Sequence, residues 1–306
     1  MKKYAKVSVA LATYNGERFL AKQMDSLLAQ DYPNLEIVIS DDCSTDGTWD
    51  ILQSYASRDP RIRLLPREKN LGYVQNFIRV FQSCQGELIS PCDHDDIWYP
   101  QKTSRLVENL GDADLVYCNS RFIDEDDKPL GSSLRDTLRV MISGDDPRSL
   151  IFCTSICGHA MLFRSSLLQS MGELGAAPYI DWVISFLAAH GAGVVYFDEV
   201  LVDWRQHKNS ITYHVRKNLF GGQKKKLQTD RQMISAFAAY PSKCQPFIIR
   251  AKNNFDRWLG SYFDLSMFLF VLRYGHITHA AHPAKFPALK YLFGYKLKKM
   301  LRPNYY

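Results

Sequence analysis

The 306-residue chain is 46% hydrophobic and 23% charged, the balance of a globular protein with a full core and not of a disordered one. Its seven cysteines are odd in number and form no CxxC pair, which argues for reduced thiols and against a disulfide framework or a cysteine-based zinc centre. The net charge of +6 conceals an asymmetry: residues 216–306 hold 17 Lys/Arg against 3 Asp/Glu, a net of +14, and residues 1–215 are net −8.

The chain starts with the basic Lys2 and Lys3 and has no apolar core of a signal peptide,. No apolar run reaches the roughly 18 residues of a spanning helix. These features predict a cytoplasmic protein that does not cross a membrane. Residues 7–12 read as a buried first strand. Phe19, Leu20, Met24, Leu27 and Leu28 have the spacing of a helix. Residues 35–40 form a second strand that runs into Asp41-Asp42-Cys43-Ser44-Thr45, where Ser44 or Thr45 suits the cap of a helix starting near Thr48. A short strand at 61–65, a helix at 73–83 and a fourth strand at 88–89 follow. Further on, 114–118 and 193–197 read as strands, with a helix over 181–190 between them.

Strand alternating with helix at this spacing implies an α/β fold with a mostly parallel central sheet and helices on both faces. In such sheets ligands bind outside the carboxyl ends of the strands. Thr13-Tyr14-Asn15, Asp41-Asp42 and the run from Asp93 to Asp96 all fall at those ends. After about His214 the pattern turns to basic, aromatic, helical segments broken by Pro241, Pro283 and Pro287. This places a boundary near 215, dividing a body (1–215) from a basic, mainly helical C-terminal region (216–306).

Asp93-His94-Asp95-Asp96 puts three carboxylates within four residues. Their mutual repulsion is costly unless something positive sits among them. A divalent cation with hard oxygen ligands is one answer, and Mg²⁺ typically takes one or two carboxylates plus phosphate oxygens. A solvated acidic turn is the other, and spacing alone does not decide between the two. No GxGxxG follows the first strand and no GxxxxGK[ST] occurs, which argues against a nicotinamide enzyme or a P-loop ATPase. A nucleotide held by backbone at Ala12 and Thr13, with a carboxylate accepting its base N–H, remains open. Asp42 suits that contact as well as it suits capping its own turn.

The motifs at 9–16, 40–48, 70–72 (Asn-Leu-Gly) and 93–98 (Asp-His-Asp-Asp-Ile-Trp), then Asp181-Trp182 and Trp204-Arg205-Gln206-His207-Lys208-Asn209, resemble those of family 2 glycosyltransferases in type and order. The resemblance covers about residues 5–215 and is nearest to bacterial rhamnosyltransferases of cell-surface polysaccharide synthesis. It implies a GT-A fold with a helical C-terminal extension, and inverting sugar transfer from a nucleotide-diphosphate donor.

The resemblance also implies roles for single residues. Ala12, Thr13, Tyr14 and Asp42 would hold the nucleoside, with Asn70 and Gly72 nearby. Asp95, with Asp93 directly or through water, would hold Mg²⁺ or Mn²⁺ on the diphosphate, with His207 as third ligand and Arg205 as a diphosphate clamp. Asp181 matches the base position. Many subgroup members have His before that Asp, where this chain has Ile180, and His94 stands where the family often has Gln. Trp98, His159 and Trp182 fall on the acceptor side, although core packing explains each of them equally well.

The implied partners are a nucleotide-diphospho-sugar, a lipid-linked saccharide acceptor and the inner face of the cell membrane, against which the basic, aromatic C-terminal region would lie. A homo-oligomer stays open. No nucleic-acid recognition motif accompanies the basic residues. Two rivals share the general architecture. A sugar nucleotidylyltransferase needs a Gly-rich N-terminal loop with a basic residue, which residues 10–18 lack. A non-catalytic glycan-binding or scaffold protein would not need Asp93, Asp95 and Asp181.

Overall fold

The computed structural model describes residues 4–172, 174, 177–208, 210, 223–282 and 284–301. Strand β1 (Val7–Thr13) is buried along its whole length, because both of its faces are covered,. Its alternation divides the core. Val7, Val9 and Leu11 pack in a cluster with Leu20, Met24 and Leu27, while Ala10 and Ala12 belong to a second cluster with Phe77, Val80 and Phe81,. The first cluster holds the apolar stripe of α1 (Glu17–Leu28), and the second that of α3 (Tyr73–Ser83).

β2 (Leu35–Asp41) and β4 (Leu88–Cys92) flank β1 in parallel, and β3 (Ile62–Leu64) extends the sheet beyond β2. The register sets Thr13 beside Asp41 and Leu11 beside Cys92. Three polar turns therefore leave the sheet at the same end. Helix α2 (Thr48–Ala56) begins after Gly47, and neither Ser44 nor Thr45 caps it. Ser44 is drawn away because its hydroxyl donates to Asp41, and Asp46 Oδ1 accepts from Thr48 N at 3.1 Å instead.

The second half adds β5 (Ile97–Trp98), α4 (Lys102–Leu110), β6 (Leu115–Ile123), β7 (Pro129–Ser133), α5 (Leu134–Thr137), β8 (Met161–Arg164), α6 (Ile180–His190) and β9 (Val194–Arg205). The nine-stranded sheet runs β3-β2-β1-β4-β8-β6-β9-β5, with β7 on β6. β8 is antiparallel to both of its neighbours, and β6 and β9 are parallel. β6 and β9 run well past the apolar stretches that announce them. Their distal halves, with Asn119, Ser120, Arg121 and Asp203, pair through register shifts near Asn119. That extension carries β9 to Arg205, beside the acidic turn.

The C-terminal helices are α7 (Gln223–Ala239), α8 (Gln245–Gly260), α9 (Ser266–Thr278) and α10 (Tyr295–Leu301). The boundary expected near 215 lies outside the described residues. Phe237 of α7 stacks on Phe186 of α6, with centroids 4.1 Å apart, and Phe255 of α8 meets Phe152 at 5.7 Å. These helices thus share a core with the body. Among the described residues no helix is long and apolar enough to cross a membrane.

Candidate active site

The turn after β1 is built from backbone. Thr13 is buried and its hydroxyl donates to Asp41 Oδ1 at 2.9 Å, while its carbonyl accepts from Asp42 N. Ala12 is buried as well, so these two residues can offer a ligand only main-chain groups. Tyr14 is exposed. Asn15 takes a left-handed conformation (φ 48°), which Asn tolerates, and its Oδ1 accepts from Thr45 N at 2.8 Å,. The turns after β1 and β2 are thereby joined.

Asp42 does more than either reading of the sequence offered. Its two oxygens accept the N–H groups of Leu71 and Gly72, at 2.6 and 2.8 Å, and Asn70 Nδ2 donates to its carbonyl. The carboxylate ties the 70–72 loop down, and each oxygen keeps a second lone pair for a ligand. Gly72 (φ 80°, ψ 161°) sits where only glycine is at ease,.

The acidic turn follows β4. Burial pushes Asp93 up to about 8, with Asp95 and Asp181 adding repulsion, and burial with Asp95 and Asp93 raises Asp96 well above its ordinary value. Burial would raise Asp95 too, but the hydrogen bond from His207 and the nearby His94 bring it below the usual range. Asp96 Oδ1 accepts from Arg205 N at 3.0 Å, and its Oδ2 is buried without a hydrogen bond, with His159 Nδ1 3.9 Å away. Carboxylates held together at this cost fit a cation.

Two sets of possible donors lie at this turn. Asp93, Asp96 and His159 have ligand atoms within 4.8 Å of one another, but Asp96 and His159 are sealed in the interior. Asp95 Oδ2 and His207 Nε2 stand 2.8 Å apart as a pair, with Asp95 half-buried and His207 at the buried edge of the turn. Adjacent ligands of an octahedral ion with ~2.1 Å bonds stand about 3 Å apart, so this second set suits a small divalent ion that a diphosphate can reach.

Asp181 lies in the first turn of α6, whose N-cap is Tyr179, so it is not the capping residue. Its Oδ1 accepts from Trp182 N at 2.8 Å. Burial raises its pKa, and backbone hydrogen bonds from Trp182 and Gly158 act against that. A Cβ at Gly158 would stand 3.6 Å from Asp181 Cβ and 4.0 Å from Pro91 Cβ, so the carboxylate is set against the end of β4. The Asp181 carboxylate thus has raised proton affinity and lies close enough to Asp93 to repel it.

The profile described as Glycosyl transferase family 2 matches residues 8–172, more than half of the chain. The chain belongs to glycosyltransferase family 2. It is 31% identical over 231 residues to EpsH of Bacillus subtilis (strain 168), a protein named for glycosyltransferase activity, covering 70% of this chain and 64% of that protein. It is 37% identical over 111 residues to TuaG of the same organism, named for teichuronic acid biosynthesis, covering 36% of this chain and 44% of that one. The matches thus span less than two thirds of either relative. Among solved structures, S. aureus TarS (residues 1–349, with UDP-GlcNAc) superposes with a TM-score of 0.61 at 15% identity, over 89% of this chain and 81% of that one. The mannosyltransferase PcManGT of Pyrobaculum calidifontis, with GDP-Man and Mn²⁺, gives 0.60 at 18% identity, over 99% and 83%. These likenesses establish the GT-A fold.

Four of the residues picked out in this family 2 glycosyltransferase are placed differently from the roles expected of them. The Arg205 guanidinium is fully buried. It donates to the carbonyls of Asp95 (2.7 Å) and Asp124 (2.9 Å), pairs with Asp127 and lies 4.6 Å from the Phe19 ring centroid. It braces the acidic turn from behind and has no open face for clamping a diphosphate. Trp98 is buried in the core with the Lys102 ammonium over its ring. Trp182 is buried with Nε1 donating to Leu150 O at 2.5 Å. His159 is buried against Trp204, its Nε2 2.9 Å from Ser120 Oγ, and burial holds its pKa down at about 3. None of these three rings offers a face to a sugar acceptor.

Other members of the site were missed in the sequence. Lys102 is wholly buried near the acidic turn, donates to His159 O at 2.8 Å, and is brought down to about 7 by burial. A lone lysine at a helix start carries no motif that would announce this. Tyr73 begins α3 with its side chain 37% exposed, and desolvation, followed by the charges of Asp181 and Asp93, raises its phenol. Its position one residue after Asn70-Leu71-Gly72 was the available signal. Arg67, with Nε 3.0 Å from Asp41 Oδ2 and its guanidinium over Trp49, steadies the turn after β2.

Proposed function

We propose that this chain transfers a sugar, with inversion, from a nucleotide-diphosphate donor to a lipid-linked glycan acceptor in bacterial cell-surface polysaccharide synthesis. The observation that carries the reading is the convergence of the Asp42 turn, the acidic turn with its Asp95–His207 pair, and Asp181 at one end of the sheet. The nucleoside would lie on the backbone of Ala12 and Thr13, between Tyr14 and the Asp42-held loop with Asn70 and Gly72. As the acceptor oxygen bonds to the anomeric carbon, Asp181 takes its proton. The bond from that carbon to the diphosphate oxygen breaks on the opposite face, and the electron pair leaves on the diphosphate. Mg²⁺ or Mn²⁺ held by Asp95, His207 and Asp93 would neutralise the charge on the departing diphosphate.

With Trp98, His159 and Trp182 buried, the acceptor is left to the partly open Tyr73 and Tyr179 around Asp181. Donors are carried by the structural neighbours TarS (UDP-GlcNAc) and PcManGT (GDP-Man with Mn²⁺), which supports the donor class. For this chain we place L-rhamnose on dTDP first, on the strength of the subgroup resemblance in its motifs. A lipid-linked acceptor fits a protein working peripherally at the cytoplasmic face of the membrane. A thermal-shift panel of nucleotide sugars, with and without Mn²⁺, tests the donor. A true donor raises the melting temperature in a Mn²⁺-dependent way, and a chain that no nucleotide sugar stabilises overturns the reading.

A further inference from the structure

Helix α9 buries Met267, Phe270, Val271 and Gly275 within the C-terminal bundle. A surface helix with its apolar stripe spent inward normally shows water a polar side. Here the outer side is also apolar. Leu265, Leu269 and Leu272 follow at i, i+4 and i+7 and are 53%, 56% and 65% exposed. The loop entering the helix adds Tyr262 and Phe263, 53% and 74% exposed. Tyr262 O accepts from Gly294 N at 3.0 Å, and its ring centroid lies 5.9 Å from Lys296 Nζ. The exposed Phe293 and Lys296 therefore border the same edge. Soluble surfaces carry such side chains singly, and a contiguous group marks an interaction face.

The charge beside this ridge says what it meets. An open cleft of about 1000 Å³ separates α8 from α9, and Arg250, Arg257 and Arg273 line it together with Ile249, Leu269 and Asp256, whose carboxylate is already paired with Arg231 and Lys252. Arg250 and Arg257 stand two turns apart on α8 and face Arg273 across the cleft. Arg257 has Asn254 Oδ1 at 2.7 Å and only a distant carboxylate, Asp264, at 3.9 Å. Arg250 and Arg273 have no carboxylate partner among the described residues. Residues 216–306 as a whole carry 17 Lys/Arg against 3 Asp/Glu. A second copy of the chain would bring the same positive charge to the contact, whereas a layer of lipid phosphates over acyl chains complements both the arginines and the leucines.

We propose that the outer face of α9, the loop 261–265 and the arginine cleft dock this protein on an anionic phospholipid bilayer. The leucines and Phe263 enter the headgroup boundary, and the three arginines hold lipid phosphates. Docking of this kind would bring the site to a lipid-borne acceptor, but its test needs no turnover and is separate from the donor reading. The full chain is sedimented with vesicles of phosphatidylcholine alone and of phosphatidylcholine mixed with phosphatidylglycerol. The expected result is capture by the mixed vesicles, with affinity about tenfold lower or worse for Leu269→Glu/Leu272→Glu and for Arg250→Glu/Arg273→Glu. Melting temperature and donor-induced shift should match wild type in both variants, because these side chains are exposed and remote from the acidic turn. Equal capture by neutral vesicles, or capture indifferent to both double variants, would overturn the proposal. So would a protein dimer that Leu269→Glu dissociates in a chain that no vesicle retains.

Discussion

Asp95 Oδ2 and His207 Nε2 lie 2.8 Å apart, joining the turn after β4 to the segment after β9 across the two strands, β8 and β6, that separate them. The contact depends on the long distal half of β9 and on Arg205, whose N–H and guanidinium hold Asp96 and the Asp95 carbonyl. The His207 ring is further fixed against Phe19, with centroids 5.0 Å apart. If these two side chains hold the metal, as proposed, the protein's own packing sets their spacing.

Asp95→Ala and His207→Ala should therefore each abolish the Mn²⁺-dependent part of donor stabilisation, and EDTA should do the same to wild type. At donor concentrations a hundredfold above Kd that stabilisation is about 2.7 kcal/mol, readily seen in a melting curve. A Mn²⁺-dependent shift that survives in both variants would count against the ligand pair.

Asp181→Asn should lower kcat by about 10²- to 10⁴-fold, the usual worth of a general base, while the donor-induced thermal shift persists. The same variant has a stability signature. Because the folded pKa of Asp181 is raised by burial, folding is penalised once the group ionises. The penalty is absent below the ordinary aspartate value of 3.8 and grows as pH rises through the folded value,. The Asn variant should thus be more stable than wild type at neutral pH, with the gap closing in acid. Urea melts across a pH series would show it, and a variant less stable than wild type at every pH would refute it.

A Cβ at Gly16 would collide with the His94 ring. Gly16→Ala should cost about 1–3 kcal/mol through this overpacking, and Gly16→Ala/His94→Ala should recover most of the loss. Denaturant melts of the double-mutant cycle measure the coupling, and additive losses would show that the two residues do not press on each other.

Trp182→Phe leaves the Leu150 carbonyl without its donor and should destabilise by about 1–3 kcal/mol, with the KM for acceptor unchanged. Trp98→Ala should cost about 3–5 kcal/mol as a core truncation. A selective rise in acceptor KM, with the melting temperature intact, would return either tryptophan to the acceptor site.

The first half of the fold was legible because each of its signals is local. Buried apolar runs at 7–12 and 35–40 and the helical spacing from Phe19 to Leu28 name their own elements, and the convergence of three polar turns follows from a parallel sheet. The second half was harder because β5 has two residues and β8 four, and because polar residues such as Asn119 and Arg121 occupy the distal part of β6. Residue type also misled where burial decides the role. An arginine near an acidic turn and a tryptophan beside the carboxylate expected to act as base look like binding groups in a sequence. Only packing reveals that Arg205 braces a turn and that Trp182 fills the core.

Phe186 and Phe237 stack face to face at 4.1 Å, and Phe186 belongs to the helix whose first turn carries Asp181. The far side of that helix is thus walled by α7, and Trp182 also meets Phe237, with centroids 6.2 Å apart. A gene cut at the apparent composition break would strip this wall and leave two large rings of α6 facing water. The unit that must be inherited, expressed or transplanted intact is therefore larger than the stretch that carries the chemical motifs.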